Sequence, residues 1–531
     1  MKEILKKYYP LLILILCCLI FTYNYSSRLI LPLDDETVYV QGLFRSNPEW
    51  GPLYSFYYFI LNFFTGYPFW SLYINYFLLT FIFIPASFYL TLRNLNFNVK
   101  ASSLAGFIAL VSFWNYPSDT KVQIFNFLFI LLAFNIRWYF DKYKRDGRFY
   151  FYLILSVLVF ARFDNLIIIF ISLVWDFLFS KAKLKTLLYI PMVVLIVWSG
   201  VFIFGNIFLK ERSLHIFLDH FYYNNPEVFS SYTKAFVPKE IALAEVFNHP
   251  KSILSIVINS PSYFFSHVYK NFLLMPKQLP FLFSFSLKDQ WNYKFLLKPY
   301  FAFMCVFVFS FGITKKNFMT LNFREIYLFT FAMLVKCFTV SLILDWWIKY
   351  YFELSLVFII WVSITLFYLH KIRFNDIFSK YKSKLLVLNY LWLLLPISFF
   401  AYKFYVVNPV EEVRLQDVLE VLNIENKKNP VKNIISGHAI IYYSNLKLNP
   451  YSLFFDRQFD AKVHASLKEF LLSEKIDTVV LYNEERRRLA QVGFRDSFLA
   501  FEDHPENFGF TKVYDNQRHQ CVYRILTSKS L

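Results

Sequence analysis

Glycine is scarce in this chain, with 11 among 531 residues. No stretch gathers them into a glycine-rich phosphate loop, so an obvious nucleotide fold is absent. Cysteine is scarce too, with five residues. Cys17, Cys18, Cys305 and Cys337 sit in apolar runs, and Cys521 stands alone near the end. That spacing gives neither a disulfide framework nor a metal-spaced cluster. Charge is thin, at 17% of residues, against about 25% in a soluble domain. There is no internal repeat and no low-complexity linker.

Apolar bulk takes the place of these features. The chain is 57% hydrophobic and 22% aromatic, with 68 Phe and 39 Tyr. Its mean hydropathy is +0.41. A soluble domain is about 45–50% apolar, so the composition is that of an integral membrane protein with many spans. The formal net charge of +18 does not mark a nucleic-acid binder. Residues 408–531 hold 17 basic and 17 acidic residues, so the whole excess precedes them. It lies mostly in short loops between apolar runs, which is the positive-inside pattern.

Apolar runs near 10–31, 68–92, 101–117, 121–140, 149–163, 165–179, 185–208, 297–313, 325–344, 350–369 and 385–407 predict a mostly α polytopic protein with about 11 transmembrane helices. The runs 149–163 and 165–179 are short and read as a tight hairpin or one bent pair. The first run lacks a small-residue cleavage site and reads as a retained span. Lys6 and Lys7, Arg93 to Lys100, Lys142 to Arg148, Lys181 to Lys185, Lys315 to Arg324 and Lys371 to Lys384 fall on one side. With that side cytoplasmic, the outer segments are 32–67, 117–120, the turn near 163–165, 209–296, 345–349 and the tail. In the loop 209–296, Ile253 to Ile258 and Phe281 to Leu287 are expected to lie along the membrane surface as amphipathic helices, with a re-entrant segment as the alternative.

The chain therefore divides into a membrane domain, 1–407, and a small extracytoplasmic α/β domain, 408–531. In the tail, Val431 to Ser436 and Thr478 to Tyr482 are β-like. Ala461 to Ser473 has helical spacing, with Val463, Leu467, Phe470 and Leu471 on one face. Phe510 to Tyr514 and Gln520 to Leu526 are expected to pair across Asp515-Asn516.

An acidic triplet, Asp34-Asp35-Glu36, follows the first apolar run. Carboxylates at a membrane border are costly and mark function by default. Adjacent carboxylates can hold a divalent cation, and one can act as general base toward a hydroxyl. The same residues also suit the acidic first turn of a helix beginning at Thr37. Glu49-Trp50-Gly51-Pro52-Leu53-Tyr54 comes next, at an expected helix start. Ser118-Asp119-Thr120 and Ala161-Arg162-Phe163-Asp164-Asn165 occupy two further outer turns. Arg162 opposes the positive-inside trend and needs a partner. It is either a bidentate phosphate clamp or half of an Arg162–Asp164 pair closing the hairpin.

Together these motifs resemble the GT-C superfamily of polyprenyl-phosphate-sugar glycosyltransferases. The similar branch contains the protein O-mannosyltransferases, the lipid A aminoarabinose transferase and the rhizobial lipopolysaccharide glycosyltransferases. Asp35-Glu36-Thr37-Val38-Tyr39 resembles the family's Asp-Glu motif. Glu49 to Tyr54 is similar to Glu-Lys-Pro-Pro-Leu-Tyr, with Trp50 and Gly51 replacing Lys and the first Pro. Ser118-Asp119-Thr120 resembles Thr-Asp-Thr-Pro-Leu, departing from it at Lys121 and Val122. Ala161 to Asp164 approximates Ala-Arg-Pro-Glu.

The resemblance implies a bacterial inner-membrane enzyme with a GT-C-like fold and a cytoplasmic N-terminus. Its partners would be a polyprenyl-phosphate-linked sugar donor and a glycolipid, glycan or protein acceptor of the envelope. Asp35 would serve as base, with Asp34 and Glu36 beside it. Arg162, Lys121 and Lys349 would face the donor phosphate, and Glu49, Asp119 and Tyr54 would shape the site. The resemblance implies no particular cofactor, and Asp35 and Glu36 are candidate ligands for a divalent metal ion. His215, His220, His249, His267 and the segment Asp345 to Tyr350 are weaker candidates. Two other functions fit the same plan: an O-antigen ligase or polymerase, and a lipid-linked sugar flippase. A flippase needs polar residues deep in the membrane, often on repeated halves.

Overall fold

The computed structural model describes Tyr8, Tyr39 and residues 10–20, 51–66, 68–111, 122–143, 146–179, 183–204, 212–230, 239–283 and 321–344. It also describes 353, 354, 356, 357, 359–361, 363 and 364, and in the tail 415–435, 449–451, 467–473, 475–481, 500–515 and 521–525. These residues are mostly helical and include one small sheet.

Four helices are long and apolar enough to cross a membrane: Trp70–Asn94, Val122–Asp141, Leu184–Phe204 and Arg324–Ile343. Four shorter apolar helices accompany them: Pro10–Ile20, Val99–Leu110, Arg148–Leu158 and Asn165–Phe179. The runs expected near 297–313 and 385–407 lie outside the described residues.

In chain order the elements are α1 (Pro10–Ile20), α2 (Pro52–Thr65), α3 (Pro68–Phe77), a π-helical stretch (Leu78–Phe83), α4 (Ile84–Asn94) and α5 (Val99–Val111). They continue with α6 (Val122–Lys142), α7 (Arg148–Leu158), α8 (Asn165–Phe179) and α9 (Lys183–Phe204). Gly106 lets α1 approach closely, because a Cβ there would meet Leu14 and the Pro85 carbonyl. The π-helical stretch has a local cause. Pro85 has no N–H to return to the preceding turn, and Ile84 N–H bonds Leu79 O instead, five residues back.

The helix expected over 149–163 stops at Leu158. The N–H groups of Ala161 and Arg162 both bond Leu158 O at 3.0 Å, and Asn165 Nδ2 donates to the same carbonyl at 2.8 Å. A tight turn therefore joins α7 to α8, which is the hairpin alternative. Helix α9 is the peripheral one, with 11% of its apolar window buried. It touches the hairpin through Gly200, whose missing Cβ leaves room for the Phe160 ring.

Residues 284–287 of the second expected surface stretch lie outside the described residues, and the described part of the long loop forms helices. These are α10 (Arg212–Asn224), α11 (Lys239–Val246), α12 (Ile253–Asn259) and α13 (Pro261–Phe283). Phe217, Phe221, Phe247, Ile256 and Phe264 form their shared core. Amphipathic spacing finds α12, where Ile256 is buried while Leu254 and Ile258 are exposed. Helix α10 carries the same kind of signal, with Leu214, Phe217, Leu218 and Phe221 at helical spacing on its buried face. Helix α14 (Leu321–Ile343) follows, and then the helical residues between 353 and 364.

The tail holds α15 (Leu415–Lys428), β1 (Asn433–Ile435), β2 (Asn449–Tyr451), α16 (Leu467–Ser473), β3 (Thr478–Leu481), β4 (Phe510–Asp515) and β5 (Cys521–Ile525). The sheet order is β2-β1-β3-β5-β4. β1 runs parallel to β2 and β3, while β3-β5-β4 is antiparallel. The expected hairpin is present as β4–β5, with an irregularity between Lys512 and Tyr514. Leu467 and Leu471 of α16 face the core, as their spacing predicts.

Candidate functional site

The second motif docks on the fourth. Gly51 has φ 77°, and a Cβ there would overlap the Ala161 carbonyl oxygen. Only glycine suits both the left-handed backbone and the close approach. Pro52 then opens α2, and Leu53 N–H donates to Phe160 O at 3.0 Å. Residues more than a hundred positions apart are thereby held backbone to backbone, one residue before Arg162.

Tyr39 and Tyr54 pack beside this junction, edge to face at 5.0 Å between ring centroids. Tyr54 also packs on Phe125 at 4.9 Å. Tyr54 is fully buried, and its hydroxyl accepts from Asn75 Nδ2 at 2.7 Å; the same amide reaches Tyr58 at 2.6 Å. Tyr54 thus contributes by packing. Tyr39 lies within electrostatic reach of Arg162.

Arg162 grips Asp164, donating from Nη2 to Oδ2 at 2.8 Å and from Nε to Oδ1 and Oδ2 at 3.2 and 3.1 Å. The hairpin-closing pair is therefore present. It is not isolated. Lys336 Nζ is 3.8 Å from Asp164 Oδ1 and 2.6 Å from Glu353 Oε2. Glu353 Oε1 accepts from Asn126 Nδ2 at 3.2 Å. Asn126 and Asn165 exchange amide hydrogen bonds of 3.2 and 2.6 Å. Cys337 Sγ lies 3.8 Å from Glu353 Oε2.

Two cations and two carboxylates thus share one buried network, with both asparagines completing it. Such groups are tolerated in an apolar interior because each is paired. Burial alone would push the Asp164 carboxyl up. Arg162 and Lys336 outweigh it and hold the group below its ordinary value. The network is open on one side only. The side chains of Lys336 and Glu353 are 1% and 3% exposed, whereas Arg162 keeps 18% and Asp164 11%. Arg162 Nη1 makes no hydrogen bond to any described residue.

A second buried network lies at the other end of the same helices. Arg137 of α6 meets Asp176 of α8 in a bidentate pair at 2.6 and 3.0 Å. Its Nε lies 2.9 Å from Glu325 Oε2 of α14. Tyr152 donates to Asp176 at 2.7 Å.

Asp34, Asp35, Glu36, Glu49, Asp119, Lys121, Asp345 and Lys349 lie outside the described residues. Among the described residues no group of three or more His, Cys, Asp or Glu is placed to hold a metal ion. His267 is a fastener: Nε2 donates to Leu344 O at 2.9 Å, and Nδ1 faces the Asn225 amide at 3.3 Å. It ties α13 to the end of α14. His215 and His249 are exposed, and His220 is half-buried.

Sequence reasoning missed Lys336, Glu353 and Asn126, because each is a single polar residue within an apolar run, and it quoted Asn165 in the fourth motif without giving it a role. One signal was available. The two networks use residues 11 apart on each of three helices: 126 and 137, 165 and 176, 325 and 336. Three helical turns take about 10.8 residues, so each pair shares a face. No family model matches this chain, and no curated protein is significantly similar to it.

Proposed function

We propose that this protein is an integral-membrane glycosyltransferase. It moves a sugar from a polyprenyl-phosphate carrier to a hydroxyl acceptor on the extracytoplasmic side. The observation that supports this reading is the meeting of the second and fourth motifs, with Tyr39 of the first, at one network. Gly51 packs on Ala161 beside Arg162, and Tyr39 lies near the same guanidinium. The remaining candidates flank these anchors in sequence. Glu36 precedes Tyr39 by three residues, so chain connectivity keeps their Cα atoms within about 11 Å. Glu49 stands two residues before Gly51, Lys121 next to Val122 of α6, and Lys349 four before Glu353.

In the reaction, a carboxylate of the triplet, Asp35, takes the proton of the acceptor hydroxyl. The oxygen attacks the anomeric carbon from the face opposite the phosphate, and the carbon–oxygen bond to phosphate breaks with inversion. The bonding pair leaves with the lipid phosphate, whose charge Arg162 stabilises. A divalent cation bound by Asp35 and Glu36 would add positive charge there.

The test uses purified full-length protein with radiolabelled polyprenyl-phosphate sugars and membrane lipid acceptors. Transfer by wild type, lost in folded Asp35→Asn and Arg162→Met variants, is the expected result. Transfer that survives both substitutions removes the assigned site. A lipid-linked sugar flippase is the second reading, favoured by buried charge at both ends of three helices. Wild-type protein that translocates a labelled lipid-linked sugar across proteoliposomes without transferring it would establish that reading instead.

A further inference from the structure

Asp164 stands between two cations, and it grips only one of them. Both carboxylate oxygens are engaged by Arg162, while Lys336 Nζ waits 3.8 Å from Oδ1. Lys336 is held firmly. It lies against Glu353, which accepts from Asn126, which is locked to Asn165. Asn165 is anchored in turn on the Leu158 carbonyl. Asp164 sits in the turn and keeps some exposure. A movement of about 1 Å would bring it into a charge-assisted hydrogen bond with Lys336.

That geometry answers a difficulty in the reading above. The edge of Arg162 best suited to a bidentate phosphate contact, Nε with Nη2, is occupied by Asp164. A phosphate that displaced the carboxylate without a receiver would strand a buried, unpaired charge, which is strongly unfavourable.

We propose that Lys336 is that receiver: when a phosphate monoester takes the Nε–Nη2 edge of Arg162, Asp164 passes to Lys336. Lys336 is then a positioning residue, and Glu353, Asn126 and Asn165 keep it aimed. No bond forms or breaks in the exchange. The inference rests on Arg162 being the phosphate clamp.

The test is a double-mutant cycle on the purified full-length protein in nanodiscs, with farnesyl phosphate as probe and farnesol as the neutral control. Wild type is expected to bind the phosphate and to lose that preference in Arg162→Met. Lys336→Met is expected to weaken phosphate binding by about 10-fold, with Lys336→Arg restoring most of it. Asp164→Asn frees Arg162 and removes the charge that needs a receiver. In that background Lys336→Met should cost less than about 3-fold.

A loss from Lys336→Met that is equally large in the Asp164→Asn background overturns the hand-over, since Lys336 then acts on the phosphate or the fold directly. Should Lys336→Met fail to fold, Lys336→Met/Glu353→Gln removes the pair together and completes the same cycle. Wild type with no preference for farnesyl phosphate over farnesol overturns the phosphate clamp itself, and with it the hand-over. Binding lost in Arg162→Met but untouched in every Lys336 variant keeps the clamp and overturns only the hand-over.

Discussion

The two ends of α6, α8 and α14 carry ion networks built on the same faces, about 16 Å apart along each helix, yet they differ in balance and access. At one end Arg137 stands between Asp176 and Glu325, with all three side chains at most 5% exposed. At the other, Arg162 and Lys336 balance Asp164 and Glu353, and the Arg162–Asp164 side is open. A closed network with one cation gripped by two helices reads as a staple. An open, balanced network with two alternative cations for one carboxylate can exchange partners. Burial of charge alone does not separate structure from function; the number of interchangeable partners and the open edge do.

The largest expected effect breaks the staple. Arg137→Met leaves Asp176 and Glu325 buried without their cation, and should cost about 3–5 kcal/mol. Thermal unfolding followed in detergent should show a large drop. A midpoint within a degree of wild type would mean that water or another cation serves those carboxylates. Arg162→Met should cost less, about 1–3 kcal/mol, because Asp164 retains Lys336. The same scan ranks the pair, and an inverted order would remove the distinction between closed and open ends.

Gly51→Ala should act at the open end alone. Its left-handed backbone adds about 1–2 kcal/mol, and the Ala161 carbonyl must shift. Phosphate binding should fall, while the Arg137 end keeps its hydrogen-exchange protection. Uniform loss of protection across both ends would contradict this. The smallest effect is the pH response of the open end. Asp164 is held below its ordinary value, so its pairing contributes fully above the unfolded carboxyl pKa of about 3.9. That contribution is lost only as pH falls through the lower folded value. The stability difference between wild type and Asp164→Asn should therefore be flat from about pH 7 to 5 and shrink below about 4. A difference that shrinks already near pH 6 would contradict the depressed carboxyl.

The sequence exposes some of this plainly. Length and apolarity mark Val122–Asp141 and Arg324–Ile343 as spans, and the short runs on either side of Arg162 announce a hairpin. Arg162 itself stands out because an arginine in an outer turn needs a partner, and Asp164 is two residues away. Lys336 and Glu353 do not stand out. They are single charges in α14 and the helix after it that pair with each other, and their further partners, Asp164 and Asn126, come from the hairpin and α6. Pairing across such separations depends on how helices pack, which residue order alone does not state. Helix α10 is different: Leu214, Phe217, Leu218 and Phe221 recur at helical spacing and share its buried face, a signal the residue order does carry.

Phe160 gives the exposed helix α9 a lever on the open network. Its ring fills the notch at Gly200 on peripheral α9, and its carbonyl holds Leu53 at the start of α2. Two residues along the chain stands Arg162. A displacement of α9, whether by neighbouring lipid or by a bulkier side chain at Gly200, is therefore transmitted to the guanidinium through one aromatic residue. A helix with little of its surface in the interior thus has a mechanical route to the site.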